Sequence, residues 1–304
     1  MIKGRKIWMD GKLVPWDKAN VHFMTHSLHY GTGCFEGIRC YQTKDKRVAI
    51  FRLNDHVERL FHSWHIFGLK IPFTQKQVTD AIIKTVKENK VKNGYVRPLV
   101  YLSSQKIGID PEKCKVSLGI AAFNFGAYLG EKGLEKGIRT KISSFSRYFV
   151  NSMMTKGKFT GEYIISSIAK KEAHDLGFEE AIMLDTNGFV SEGTGENIFI
   201  IRDNELITPP KSTILEGITR DTILKMADHF GIKSRERFIT RDQLYIADEV
   251  FLSGTAAEIT PVIEIDNRKI GSGKPGKMTK FLQKSFFEIT LGKNPEFEEM
   301  LTYL

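Results

Sequence analysis

The spacing of apolar and polar residues changes period several times along the chain, and each change marks an expected element. Residues 6–9 and 12–16 are short β-prone runs around Asp10-Gly11, a dipeptide suited to a tight turn, so the chain is expected to open with a hairpin. After Asn54, an expected helix cap, apolar residues fall at Val57, Leu60, Phe61, Trp64 and Phe67, the spacing of one helix face, and Gly68 closes the run. A second helix is predicted from Val78, Ile82, Ile83 and Val86. The runs 95–103 and 116–123 are rich in β-branched and aromatic residues and read as strands. The stretch 123–133, FNFGAYLGEKG, has no clear period and reads as a connection between domains.

Beyond it the helical period returns over 161–176, with Ile164, Ile165, Ile168, Ala169, Ala173 and Leu176 as its apolar stripe and Gly177 as its stop. Two strands follow around Asn187-Gly188, then further strands over 197–209. A helix opens near Thr219, turning Ile223, Leu224, Ala227 and Phe230 inward, and 249–262 returns to sheet. Hairpins mixed with helices argue against a doubly wound dinucleotide-binding fold. The expected fold class is α+β in two domains, with a small one over 1–120, a connection over 121–133 and a larger one over 134–304.

Composition agrees, since 304 residues with 41% apolar content can bury two cores. Charge adds an asymmetry: of a net +9, residues 1–120 hold 21 Lys and Arg against 10 Asp and Glu. These cations are spread over helices and turns rather than clustered with aromatic residues, which disfavours nucleic acid as a partner and suits anionic small molecules. Cys34, Cys40 and Cys114 are odd in number with no close pair, so neither a disulfide framework nor a zinc site is indicated and a reducing compartment is expected. No apolar run approaches the roughly 20 residues of a membrane span and the opening segment has no secretory core, so no membrane partner and a cytoplasmic location are expected. Six of the eight histidines precede residue 66, but none has metal-ligand spacing, so no metal is expected.

Eight segments stand in one order along nearly the whole chain: HYGTGCFEGIRCY (29–41), HVERL (56–60), YVRPL (95–99), FGAYLG (125–130), TKGKFTGEYIISS (155–167), SEGTGENIF (191–199), EGITRD (216–221) and ADEVFLSGTAAEITPV (247–262). Together they resemble the branched-chain amino acid aminotransferases of the class IV, fold type IV, pyridoxal-phosphate enzymes. The resemblance implies a D-amino acid aminotransferase-like fold, with a small N-terminal α/β domain, a larger pseudo-barrel domain and the cofactor between them.

Pyridoxal 5′-phosphate requires a lysine, an acid for its pyridine nitrogen and an anion site for its phosphate. On composition alone Lys158 is one loop lysine among many. The resemblance selects it as the lysine that carries the cofactor as a Schiff base, because it lies five residues before Tyr163. Lys156 fails that spacing and occupies a position usually small in the family. Glu192 is implied as the partner of the ring nitrogen, with Glu196, four residues on, in a supporting place, and Tyr163 as donor to the cofactor's phenolic oxygen. Arg59, the backbone N–H groups of Ile218 and Thr219 at a helix start, and the Thr255 hydroxyl are implied for the phosphate. Tyr30, Phe35, Ile107, Ile109 and Tyr128 are implied as substrate-pocket walls. Arg97 is implied for a distal carboxylate, and Tyr95 with the Thr255-Ala256-Ala257 turn for the α-carboxylate. Without the resemblance, the aromatic and β-branched residues among these read as core.

The activity implied is reversible transfer of the amino group from L-leucine, L-isoleucine or L-valine to 2-oxoglutarate, with the freed Lys158 amine moving a proton from the substrate α-carbon. In this family Tyr128 commonly reaches a neighbouring subunit's pocket, which implies a homodimer or higher homo-oligomer. The alternatives within the class are D-amino acid aminotransferase, R-selective amine aminotransferase and aminodeoxychorismate lyase, and outside it a non-catalytic RNA-associated protein using the basic first half. The YVRPL, FEGIR and GTAAEITP segments favour the branched-chain enzymes, and the set of Lys158, Tyr163 and Glu192 disfavours a non-catalytic protein.

Overall fold

A computed structural model describes residues 3–304; Met1 and Ile2 of the opening segment lie outside the described residues. The chain forms two compact units that are not successive in sequence. The first combines the chain up to Gly126 with Gly157–Tyr163 and Ile289–Leu304, and the second combines Ala127–Lys156 with Ile164–Glu288.

In the first unit the described residues build an eight-stranded antiparallel sheet. Its opening hairpin pairs Lys6–Met9 with Lys12–Pro15, and Asp10 (φ 44°) and Gly11 (φ 96°) supply the positive angles that a two-residue turn of this twist demands. The longest pairing joins Gly94–Leu102 to Val116–Asn124, with Tyr95 opposite Phe123 and Arg97 opposite Ala121. Because strand side chains alternate faces, Val96, Val100 and Leu102 enter the core with Leu60, Trp64 and Ile82 of two helices, Leu53–Ile66 and Gln75–Glu88, while Arg97, Leu99 and Tyr101 line the opposite face.

Asn54 is not the cap of the first of these helices. The helix begins at Leu53 behind Arg52, which holds a left-handed φ of 48°. Arg52 is fixed by distant and local partners at once: its N–H donates to the Met300 carbonyl at 2.7 Å and its guanidinium donates to Asp55 at 2.6 and 3.0 Å. The second helix starts as local rules predict, with Thr74 and Gln77 exchanging bonds in a capping box.

The second unit carries a nine-stranded mixed sheet among the described residues. Ile138–Ile142 runs parallel to both Glu258–Ile265 and Glu180–Leu184, and Ile142, Ile182, Ile198, Ile200, Val250, Leu252 and Val262 meet in its core. The hairpin predicted at Asn187-Gly188 joins Glu180–Leu184 to Val190–Gly193. In the helix Ile218–His229, Ile223 and Ala227 are buried as expected, but Met226 replaces Leu224 and Phe230, which are only half-buried.

Two further expectations need correction. The helix Tyr163–Asp175 buries Ser166, Ala169 and Ala173, whereas Ile164, Ile168 and Leu176 are exposed. Small residues let this helix approach Phe178, Ala181 and Met183 closely, which turns the bulky positions outward. Of the 123–133 stretch, Phe123 and Asn124 complete a strand because Tyr95 and Gly94 pair with them, and Glu131–Lys136 is a short helix. No helix among the described residues is long and apolar enough to cross a membrane.

Thr74→Ala removes one half of the capping box and is expected to cost about 1 kcal/mol of stability. Urea unfolding read by far-ultraviolet circular dichroism checks this, and an unchanged midpoint would contradict it.

Candidate active site

In the first unit the backbone around Lys158 is held on several sides. Its N–H donates to the Ser63 hydroxyl at 3.0 Å, its carbonyl accepts from the Phe35 N–H at 3.0 Å, and Phe159 bridges to Cys34. The Thr160 hydroxyl donates to the Gly31 carbonyl at 2.8 Å. Gly31 ends the short helix His26–Tyr30 with a φ of 65°, and a Cβ there would sit 2.8 Å from the Gly161 Cα, so the close approach of this segment requires glycine. On this fixed backbone the half-buried Lys158 ammonium donates to the Tyr163 hydroxyl at 2.5 Å and lies 4.9 Å from the centre of the Phe35 ring.

Beside this pair sits a buried charge cluster in which Arg59, expected at the phosphate, meets Glu36 and His56, two residues of the FEGIR and HVERL segments that sequence reasoning did not single out. Glu36, fully buried, accepts from Arg59 Nε at 2.6 Å and Nη2 at 2.9 Å and bonds His56 Nδ1 at 2.7 Å. Burial by itself would raise the Glu36 pKa, but the Arg59 charge and the bonds from His56 and Arg59 outweigh it, so the carboxyl is held far below its ordinary range. Burial conversely pulls His56 down; a neutral imidazole then donates from Nδ1 to Glu36. Arg59 thus has one edge of its guanidinium committed to Glu36, which fixes its orientation. The neighbouring Cys34 and Cys40 are also buried, which pushes their thiols up, Cys40 to about 12, and makes them poor nucleophiles.

Tyr95 and Arg97 project from the strand Gly94–Leu102. The Arg97 guanidinium lies 4.4 Å over the Phe35 ring and 5.4 Å over the Tyr95 ring, an exposed cation backed by apolar surface. The Tyr30 hydroxyl accepts the Gly108 N–H at 2.9 Å, while the His26 ring meets the Gly108 carbonyl at 2.9 Å. The loop so tied presents Ile107 and Ile109 at 65% and 82% exposure, with no packing of their own in the described unit's core.

In the second unit Glu192 lies buried on Val190–Gly193 and pairs with Arg147 at 2.7 Å. Arg147, itself buried, also donates to the Tyr148 hydroxyl at 2.7 Å; nothing in its sequence context marked it. Glu196 is in a different state. Its own burial and then the nearby Glu180 charge raise its pKa, whereas Glu180 receives Lys170 and the Thr194 hydroxyl. Of the two glutamates that sequence reasoning weighed, Glu192 has a guanidinium to balance a carboxylate and Glu196 is favoured as the neutral acid. Ile218 and Thr219 form the first turn of Ile218–His229 behind Gly217, the helix end that favours anions. Thr255, Ala256 and Ala257 form the turn between Glu249–Gly254 and Glu258–Ile265, and Tyr128 is exposed with the Lys170 ammonium 5.9 Å from its ring centre.

Comparison with known proteins adds lineage to this geometry. Residues 33–265 match the family described as amino-transferase class IV. The chain is similar to a branched-chain-amino-acid aminotransferase of Pseudomonas aeruginosa, with 48% identity over 97% of this chain and 96% of that one. Among solved structures it resembles a branched-chain aminotransferase from the thermophilic archaeon Thermoproteus uzoniensis with norvaline, with a TM-score of 0.94, 43% identity and coverage of 99% of each chain. It also resembles the branched-chain amino acid aminotransferase from Thermobaculum terrenum in its PLP-form, with a TM-score of 0.93, 32% identity and coverage of 100% and 99% of the two chains.

Gly37 is the tightest point among the described glycines of the first unit, since a Cβ there would lie 1.7 Å from the Tyr95 hydroxyl oxygen and 2.5 Å from the ring carbon bearing it. Gly37→Ala is expected to displace the Tyr95 ring and cost about 1–3 kcal/mol by overpacking. Adding Tyr95→Phe should recover part of that loss in thermal unfolding. A double variant no more stable than Gly37→Ala would refute the clash as the cause.

Proposed function

Because the chain belongs to the class IV aminotransferases, we propose that it transfers the amino group reversibly from L-leucine, L-isoleucine or L-valine to 2-oxoglutarate, giving branched 2-oxo acids and L-glutamate. Its cofactor is pyridoxal 5′-phosphate. The observation that carries the reading is the 2.5 Å bond between the Lys158 ammonium and the Tyr163 hydroxyl on a pinned backbone. Similarity along the whole chain to enzymes named for branched-chain substrates supports the substrate class.

The donor set suits that cofactor, whose aldehyde, pyridine nitrogen and phosphate call for an amine, a carboxylate and anion donors. When bound, it supplies an electron sink for the substrate α-carbon. Lys158 would hold it, and the Lys158 amine would move the proton from the substrate α-carbon, an effect that depends on tethered proximity. Tyr163 orients that amine and donates to the phenolic oxygen. Glu192, balanced by Arg147, would partner the ring nitrogen, which a carboxylate keeps protonated. Arg59, oriented by Glu36, would hold the phosphate, as would the N–H groups of Ile218 and Thr219 and the Thr255 hydroxyl.

One pocket must accept an aliphatic side chain in one half-reaction and the glutamate side-chain carboxylate in the other. Arg97, stacked on Phe35 and beside Tyr95, offers a cation with apolar surface around it. Tyr30, Phe35, Ile107, Ile109 and Tyr128 would serve as walls for the substrate side chain, and Tyr95, Thr255, Ala256 and Ala257 would receive the α-carboxylate. The highly exposed Ile109 and an apolar groove of about 370 Å³ lined by Ile7, Met9, Leu28, Leu99 and Ala121 support a homodimer or higher homo-oligomer. Cysteines kept as free thiols suit a cytoplasmic location.

Lys158→Ala is expected to abolish transamination while the protein keeps its fold, since it removes both the cofactor's attachment and the proton carrier. Activity within about tenfold of the parent protein, with normal circular dichroism, would refute this. Arg97→Ala tests the substrate assignment. A charge-assisted pair is worth about 1.5–3 kcal/mol, so kcat/KM for glutamate should fall roughly 10–100-fold more than kcat/KM for leucine. Stopped-flow measurement of the two half-reactions separates them. Equal losses would make Arg97 structural or a partner of the shared α-carboxylate, the arrangement expected of another class IV enzyme.

A further inference from the structure

Lys156 stands two residues before Lys158 and has no part in the reading above, yet its side chain is placed with unusual definition for a half-buried lysine. Its ammonium donates to the Lys211 carbonyl and to the Ile214 carbonyl at 3.0 Å, and lies 3.9 Å from the Glu216 carboxylate. These three residues belong to one segment, the turn Lys211–Thr213 and its continuation into Gly217, the N-cap of the helix Ile218–His229. A solvated lysine gains nothing by capping two carbonyls three residues apart, since water satisfies them equally well.

The same segment is bound by other side chains rather than by a sheet ladder. The Ser191 hydroxyl donates to the Thr213 carbonyl at 3.2 Å, Asn197 Nδ2 donates to the Leu215 carbonyl at 3.0 Å, and the Leu215 N–H reaches Glu192 Oε2 at 3.4 Å. Gly217 is pressed against Asn197, whose amide oxygen would be 1.9 Å from a Cβ. The carbonyls of Lys211, Thr213, Ile214 and Leu215 are therefore each held by a side chain, and Lys156 alone holds two of them. Burial pulls the pKa of Lys156 down, and the Glu216 and Glu192 carboxylates oppose that pull.

We propose that Lys156 is a positioning residue that clamps the 211–216 segment and thereby fixes the direction of the Ile218 and Thr219 N–H groups toward the cofactor phosphate. The proposal rests on the phosphate assignment made above for those two N–H groups. Lys156 touches neither the cofactor nor substrate; it acts through the backbone that enters the helix. An ammonium suits this task because it can donate to several carbonyls at once while Glu216, which also meets Lys211 at 3.4 Å, balances its charge.

The test uses the full-length protein as Lys156→Met, which keeps the aliphatic stem, and Lys156→Arg, which keeps cationic donors. Pyridoxal 5′-phosphate is titrated into each protein by absorbance, and amide hydrogen exchange is followed by mass spectrometry with the strand 94–102 as internal control. Lys156→Met should weaken cofactor binding about 5–20-fold and speed exchange of residues 211–219 while leaving 94–102 unchanged. Lys156→Arg should recover most of both effects. Cofactor affinity in Lys156→Met equal to the parent's overturns the proposal, whether or not exchange changes. Faster exchange throughout the protein overturns it as well, by showing a general structural role. A parent protein that binds the cofactor but does not transaminate would instead defeat the functional reading and leave these two measurements intact.

Discussion

The backbone of Lys158 is the constraint on which the first unit's chemistry depends. Ser63 and Phe35 grip its two peptide groups, and Gly31 and Gly161 allow the following residues to lie against the helix His26–Tyr30. A lysine side chain has four rotatable bonds, so an ammonium on a mobile loop would spread over many positions. Here the uncertainty is removed at the backbone, and Tyr163 removes what remains at the nitrogen. The Phe35 backbone that holds Lys158 also places the ring on which Arg97 rests.

A second theme is the treatment of buried carboxylates. Moving an ionised carboxylate out of water is costly unless a cation and hydrogen bonds replace the water. Glu36 has Arg59 and His56, Glu192 has Arg147, and Glu180 has Lys170 with Thr194. Glu196 is the exception: buried, and then crowded by the Glu180 charge, it is pushed toward the neutral acid. Each pairing orients a group as well as stabilising it. Glu36 aims Arg59, and Arg147 keeps Glu192 on one line, so the positions of the charged groups are set by neighbouring side chains as much as by their own backbone.

Many elements were legible in local pattern because local physics decides them. Asp10-Gly11 and Gly188 tolerate the positive φ their turns need, Gln75–Glu88 has its cap and apolar stripe within its own sequence, and YVRPL and ITR stand where strand and helix start were expected. The lysine, tyrosine and glutamate proposed for the cofactor were singled out through the order of eight segments, since such motifs preserve side-chain chemistry at set spacing. The Lys277–Thr290 helix, which buries Leu282, Phe286 and Ile289, carries an equally readable stripe.

Tertiary structure alone decided the rest. Arg52, not Asn54, precedes the first long helix because Met300, from the far end of the chain, accepts its N–H. The helix Tyr163–Asp175 turns isoleucines outward because its alanines meet Phe178 and Met183, which no one-dimensional stripe can state. Glu36 and Arg147 have no local signal, as a charged residue in a strand or loop acquires a role only when a distant opposite charge is brought beside it in a dry place. By itself the sequence determined the residues able to do chemistry and the local conformations they favour, because these are set by side-chain structure and nearest neighbours. Which of them are buried, which are charged and which hold one another was decided only by folding, because burial and Coulomb energy depend on distances in space rather than along the chain.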